Sequence, residues 1–319
     1  MLSERNFEFI ETNGVTLRTV VEGEGPLVIL THGWPQGWYL WRHQIDPLVA
    51  AGYRVAVPDQ RGYGESSQPD DVDAYNIRNL SDDVAGIATA LGESEFYLVG
   101  HDWGCLVAWN AALLHASRCR AVLGLSVPFW RPRDATVNPP GFNDQFWYIR
   151  YFQKPGVADK ELDRDIERSL KILFAGLSAD TPGGTWMAQL EHPSGCGLLD
   201  VLPESDQLPA WLSQEEFDYY VSQFRIGGFR GPNNWYRNIP VNNELTPELE
   251  GARFTMPAGF IAGSEDDVLL YDPDWRENFP QAFDDLRSIE IIEGAGHWLQ
   301  CEKPAETTDA ILRFLAGVG

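Results

Sequence analysis

LVGHDWGC, residues 98–105, decides how the chain is read. An apolar run leads into Gly100-His101-Asp102-Trp103-Gly104, and a second apolar run follows. Small residue, any residue, nucleophile, any residue, small residue is the pattern of a sharp turn from a strand into a helix. The turn lifts one side chain above the sheet, at the amino end of the helix. Free N–H groups and the helix dipole favour an anion there. Acyl-transfer sites place serine at the centre of this turn. Here the centre is Asp102, and the chemistry must be one that wants a carboxylate.

Working outward, FEFIET (7–12) and VTLRTVVE (15–22) read as a strand pair turned by Asn13-Gly14, a good hairpin dipeptide. LVIL (27–30), YRVAVP (53–58), FYLVG (96–100), AVLGLSV (121–127), AGFIAG (258–263) and SIEII (288–292) read as further strands. Amphipathic helices are expected over 78–91, 103–115 and 304–316. Wholly apolar strands alternating with helices predict an α/β fold, a mostly parallel central sheet with helices on both faces. The alternation breaks from Phe129 to about Leu245, where short helices and Pro/Gly-rich loops are expected, LDRDIERSLKILFAGL (162–177) among them. The predicted organisation is therefore a core of residues 1–128 and 246–319 carrying a helical cap at 129–245. An insertion of this kind covers the carboxyl ends of the strands, where sites of such sheets lie.

A nucleophile needs a base, and the chain has six histidines. His297 follows SIEII through the Gly-rich turn EGAGHW, which puts it at a strand carboxyl end. His32 lies in THGWP after an early strand, and His101 flanks Asp102. His43, His115 and His192 lack a strand-end setting. The base needs an orienting acid. SEDDVLL follows AGFIAG and offers Glu265, Asp266 and Asp267, among which spacing alone does not choose. The order nucleophile, acid, histidine is that of the strand-turn-helix hydrolases. The THGWP turn and the elbow together present two backbone N–H groups, from Trp34 and Trp103, to a developing oxyanion.

Composition narrows the partners. The 319 residues suffice for one large domain with an insertion. A net charge of −23 argues against nucleic acid and against anionic membranes. The start, MLSERNFEFI, lacks a basic segment followed by an apolar one, and no uncharged apolar run reaches about 18 residues. Cys105, Cys119, Cys196 and Cys301 form no CxxC pair and suit neither a zinc site nor a disulfide framework. Idle thiols and a cytoplasmic protein are expected.

HGWPQGWYLWRHQ (32–44), AGYRV (51–55), RGYGESS (61–67), GHDWG (100–104) and GHWLQCEKP (296–304) resemble the α/β-hydrolase superfamily, and more narrowly its soluble epoxide hydrolases with an Asp nucleophile. The resemblance runs over nearly the whole chain. In the insertion, FWYIRYFQKPGVAD (146–159) and GFRGPNNWYRN (228–238) match the two stretches that each carry a cap tyrosine in that family. The match implies Tyr148 and Tyr236 as donors to the epoxide oxygen. It also places the acid at Asp266, with Val268 on the family's following valine, and makes Asp267 a departure of this chain. The implied reaction opens an epoxide through an Asp102 ester that a His297-activated water hydrolyses, with no metal or organic cofactor. Twelve tryptophans and sixteen phenylalanines fit an apolar pocket for an apolar small-molecule epoxide. A monomer or homodimer is expected.

Two other readings use the same residues. A haloalkane or haloacid dehalogenase shares the Asp, His and acid, and Trp103 fits a halide site. Position 34, however, is Trp where haloalkane dehalogenases commonly carry Asn, and the tyrosine pair favours an epoxide. A non-catalytic, ligand-binding member of the fold would be marked by loss of Asp102 or His297, and both are present.

Overall fold

Asn13 and Gly14 both take positive φ, 44° and 75°, as a two-residue hairpin with the sheet's own twist requires. They join β1 (Phe7–Thr12) to β2 (Val15–Glu22), with Thr12 opposite Val15. The structure is a computed structural model that describes residues 5–132, 134–181 and 186–319. The remaining strands are β3 (Leu27–Thr31), β4 (Arg54–Pro58), β5 (Phe96–His101), β6 (Cys119–Leu125), β7 (Ala258–Gly263) and β8 (Leu286–Ile292). They form one eight-stranded sheet in the order β1-β2-β4-β3-β5-β6-β7-β8. The pairs β1/β2 and β2/β4 are antiparallel and the rest are parallel. Every residue of β3, β5 and β7 is buried, as expected for strands covered on both faces. The strand order brings the carboxyl ends of β3, β5, β6, β7 and β8 side by side. That edge carries Asp102, Asp266 and His297.

Between β6 and β7 the described residues form helices, turns and an isolated bridge from Gln145 to Pro193. Helices lie at Tyr148–Phe152, Ala158–Arg164, Ile166–Gly176, Gln214–Gly227, Arg230–Arg237 and Ile239–Leu245. The stretch 162–177, read from sequence as one helix, is broken at Asp165. Its backbone leaves the helical region (φ −148°, ψ 85°) and its carboxylate accepts from Arg168 N at 3.0 Å. A short acidic side chain caps a helix better than it continues one, so the chain restarts there.

Side chains fasten the helical segment to the sheet half. Ser213 and Glu216 make a reciprocal capping box on Gln214–Gly227. Glu216 then accepts from Arg42 Nε at 2.7 Å. The indole of Trp235 donates to Arg61 O at 3.2 Å. The RGYGESS loop packs against the start of Arg230–Arg237 so closely that a Cβ on Gly62 would meet Gly231 backbone at 3.0 Å.

Candidate active site

Strand β5 ends at His101, and the helix Trp103–Leu114 starts one residue after Asp102. Asp102 takes φ 53°, ψ −122° at this turn. A non-glycine residue holds such a backbone only when its surroundings over-determine it. Here they do. A Cβ on Gly100 would lie 2.3 Å from Gly104 O, and one on Gly104 would lie 2.3 Å from Thr31 O. Both flanking glycines are therefore required for strand and helix to pass. A Cβ on Gly33 would overlap Asp102 Oδ1 at 2.2 Å, so that glycine makes room for the carboxylate itself.

The Asp102 side chain keeps 15 % exposure, and it lines a cavity. Trp34 N donates to its Oδ1 at 2.7 Å, and the neighbouring Trp103 N–H also favours the charged carboxylate. Burial raises its pKa above the ordinary carboxylate value, against the opposing pull of His297 and these two N–H groups.

His297 arrives through the Gly294–Gly296 turn that follows β8. Its N–H donates to Leu177 O at 3.0 Å. Its carbonyl accepts from His101 Nε2 at 2.8 Å and from Ser126 Oγ at 3.3 Å. The ring is buried, with Nδ1 3.1 Å from each oxygen of Asp266 and Nε2 3.7 Å from Asp102 Oδ2. Burial alone would lower the imidazole pKa. Asp266, helped by Asp102 and Glu302, reverses this and holds it above the ordinary histidine value.

The three adjacent acids separate by geometry. Asp266 is buried against His297, and its Oδ1 also accepts from Val268 N at 3.0 Å. Glu265 is exposed and accepts from Ser264 Oγ at 3.2 Å. Asp267 accepts from Trp186 N at 3.1 Å. The other histidines lie elsewhere or face other groups. His32 receives Gln60 N on Nε2 at 3.0 Å and gives Nδ1–H to Gly33 O at 2.9 Å. Burial pushes its pKa down to about 4, so it is a neutral strut under the Trp34 loop.

From the opposite side, Tyr148 opens the helix Tyr148–Phe152 and Tyr236 lies in Arg230–Arg237. Their rings meet edge to face, centroids 5.7 Å apart at 77°. Gln153 ties the two helices together, its Nε2 donating to Ile149 O and Tyr236 O, each at 2.9 Å. Both tyrosines and Asp102 line one cavity of about 510 Å³, whose walls include Leu106, Val127, Met187 and Val268. Burial first, with the nearby Asp102 charge adding to it, raises both phenol pKa values. Each is thus a neutral O–H donor facing a carboxylate across an apolar space.

The α/β-hydrolase fold family matches residues 26–304. The chain is 46% identical over 316 residues to epoxide hydrolase A of Mycobacterium tuberculosis, covering 97% of both. The chain belongs to the epoxide hydrolase family of the α/β-hydrolase fold. Solved epoxide hydrolases share its architecture. That of Mycobacterium thermoresistibile (epoxide hydrolase A) superposes with a TM-score of 0.90 at 45% identity, covering 99% of each chain. An epoxide hydrolase from an endophytic Streptomyces superposes with a TM-score of 0.93 at 37% identity, covering 99% of this chain and 96% of that one.

Within this epoxide hydrolase site, three supports escape a reading of the sequence. Glu302 accepts from Gly296 N, Trp298 N and Ala179 N, each at 2.9 Å, and so grips both flanks of His297. It stands in the quoted GHWLQCEKP, but nothing in its spacing announces three backbone donors. Asn233 accepts from Trp34 Nε1 at 3.1 Å and donates to Asp159 at 2.8 Å, while Arg237 also donates to Asp159 at 2.7 Å. This buried chain joins the Trp34 loop to the helix that bears Tyr236. The third support is Tyr271, on the cavity wall. A tyrosine five residues after the acid carries no motif.

Proposed function

We propose that this chain hydrolyses an epoxide to a vicinal diol. Asp102 is the nucleophile, His297 the base and Asp266 its orienting acid. Tyr148 and Tyr236 are donors to the ring oxygen. The observation that carries the reading is the meeting of two buried phenols and one carboxylate in a single, mostly apolar cavity. A carboxylate suits displacement at an sp3 carbon better than attack on an ester carbonyl. Trp34 N holds Oδ1, which leaves Oδ2 for the attack.

In the first step the Oδ2–carbon bond forms and the ring C–O bond breaks. Alkoxide is a poor leaving group, so the two phenols hydrogen-bond the oxygen as charge develops, and Tyr148 gives it a proton. In the second step water attacks Cγ of the ester, losing one proton to His297 Nε2. The backbone N–H groups of Trp34 and Trp103 hold the oxyanion. The tetrahedral species expels the diol oxygen, which takes the proton from His297. The water's other proton leaves the regenerated Asp102 carboxyl and restores the Tyr148 phenol. No step calls for a metal or organic cofactor.

Residues 129–245 act as the cap and 1–128 with 246–319 as the core. The substrate is an apolar small-molecule epoxide, in keeping with the cavity lining. The four free thiols support a cytoplasmic setting. The test is a single turnover of styrene oxide with excess enzyme in ¹⁸O-water, beside halide release from a haloalkane and a haloacid. The label should enter Asp102 and be missing from the first diol. Label in the first diol, or halide release without diol, would overturn the reading.

A further inference from the structure

The cavity carries a third phenol. Tyr271 closes the short turn Asp267–Tyr271, which begins directly after Asp266. It lines the same space as Asp102, Tyr148 and Tyr236. Its ring lies nearly parallel to that of Tyr148, with centroids 6.3 Å apart and 25° between planes. Trp147 meets it edge-on at 5.0 Å. Its hydroxyl accepts from the indole Nε1 of buried Trp186. An indole N–H only donates. That bond therefore occupies a lone pair of Tyr271 Oη and leaves its own proton to give.

The phenol stacked beside it is that of Tyr148, and the two hydroxyls interact. Were the polarity reversed, the Tyr148 proton would point at Tyr271 and away from any substrate. With Trp186 giving to Tyr271 and Tyr271 giving to Tyr148, the Tyr148 proton is directed to the other side. The other side holds Tyr236 and the space above Asp102. Tyr236 also has a tryptophan beside it, since the Trp103 ring meets it edge to face with centroids 5.0 Å apart.

We propose that Tyr271, held by Trp186, is a positioning residue for ester formation: it donates to Tyr148 Oη, aims the Tyr148 proton at the epoxide oxygen and stabilises the phenolate left after ring opening. The inference rests on the reading of Tyr148 as the donor. A hydrogen bond to a phenolate is stronger than one to a neutral phenol. Its gain is therefore larger in the transition state than in the bound complex, and it belongs in the rate and not in the affinity. Chains of hydrogen bonds also polarise one another, so Trp186 strengthens the bond that Tyr271 makes.

The test is rapid-mixing single turnover of styrene oxide, resolving binding, ester formation and ester hydrolysis in Tyr271→Phe, Trp186→Phe, Tyr148→Phe and the double variant Tyr148→Phe/Tyr271→Phe. Tyr271→Phe should slow ester formation by about ten- to a hundredfold, with substrate Kd and ester hydrolysis unchanged. Trp186→Phe, which leaves Tyr271 in place, should slow the same step by less. In the Tyr148→Phe background, Tyr271→Phe should add nothing. An equal slowing in both backgrounds, or normal ester formation in Tyr271→Phe, overturns the inference while leaving Tyr148 as donor. Normal ester formation in Tyr148→Phe overturns the donor reading and this inference with it.

Discussion

The two halves of the site are built by different means. On the sheet side, Asp102 is fixed by backbone approach, with Gly33, Gly100 and Gly104 each leaving no room for a Cβ. His297 is held at its main chain by Leu177 O and the His101 and Ser126 side chains, and at its ring by Asp266. On the cap side, Tyr148 and Tyr236 sit on short helices held by side chains: Gln153, Asn233 and Asp159. Main-chain packing sets a position once, whereas side-chain bonds can be removed one at a time. The sheet half should therefore answer substitution in an all-or-none way and the cap half by degrees.

The largest effect tests the sheet half. Asp102→Ala removes the proposed nucleophile. Diol formation should fall by about 10⁴-fold or more, and no alkyl adduct should appear by intact mass. Next comes His297→Gln. Ester formation should proceed, while hydrolysis slows by about 10²–10⁴-fold, the range for loss of a positioned base. An adduct on Asp102 should then accumulate within the first turnover. Unhindered turnover in this variant would mean that the base lies elsewhere.

The cap half should give smaller and divisible losses. Tyr148→Phe and Tyr236→Phe should each slow ester formation by about 10–10²-fold, with hydrolysis of a preformed ester unaffected. The double variant should lose far more than either, since no donor then meets the ring oxygen. If either single variant abolished ester formation as fully as Asp102→Ala does, the contrast between the halves would break. Stopped-flow single turnovers of the three variants decide it.

The same contrast explains what was legible in the sequence. The sheet half was readable because its residues stand in chain-local patterns. Asn13-Gly14 adopts the turn expected of it, the strands appear where apolar runs were, and the elbow glycines bracket Asp102. The register of the insertion was harder to read. Asp165 broke a helix that periodicity carried through 162–177, because capping competes with propagation and periodicity does not register it. Tyr148 and Tyr236 came from family resemblance and not from any period or spacing. Tyr271, Trp186 and Glu302 are meaningful only through contacts across long stretches of chain. Trp186 reaches Tyr271 over 85 residues, and Glu302 reaches Ala179 over 123. Choosing among Glu265, Asp266 and Asp267 likewise needed three dimensions, since only burial against His297 separates them.

The smallest expected effect joins the halves through charge. In the free protein His297 faces Asp266 on one side and Asp102 on the other, with Glu302 behind its loop and the neutral His101 ring tilted against it, centroids 4.7 Å apart. Burial lowers its pKa, and the three carboxylates together raise it above the ordinary value of about 6.5. A base must be neutral to act, so a raised pKa would weaken it at neutral pH. Ester formation changes this balance, because esterified Asp102 carries no charge and the charge it gave up rests on Tyr148, which is not among the groups that raise His297, until the phenol is restored. His297 should then lose its proton more readily in the intermediate than in the free protein. The sign follows directly: hydrolysis should fail as pH drops through the His297 pKa of the ester, and that value should lie below the one of the free protein. Proton NMR titration of His297 in the free protein, set beside the acid limb of ester hydrolysis in single turnovers, measures both. A hydrolysis limb at or above the NMR value would show that Asp102 contributes nothing to holding the histidine proton, and that Asp266 and Glu302 alone set the base.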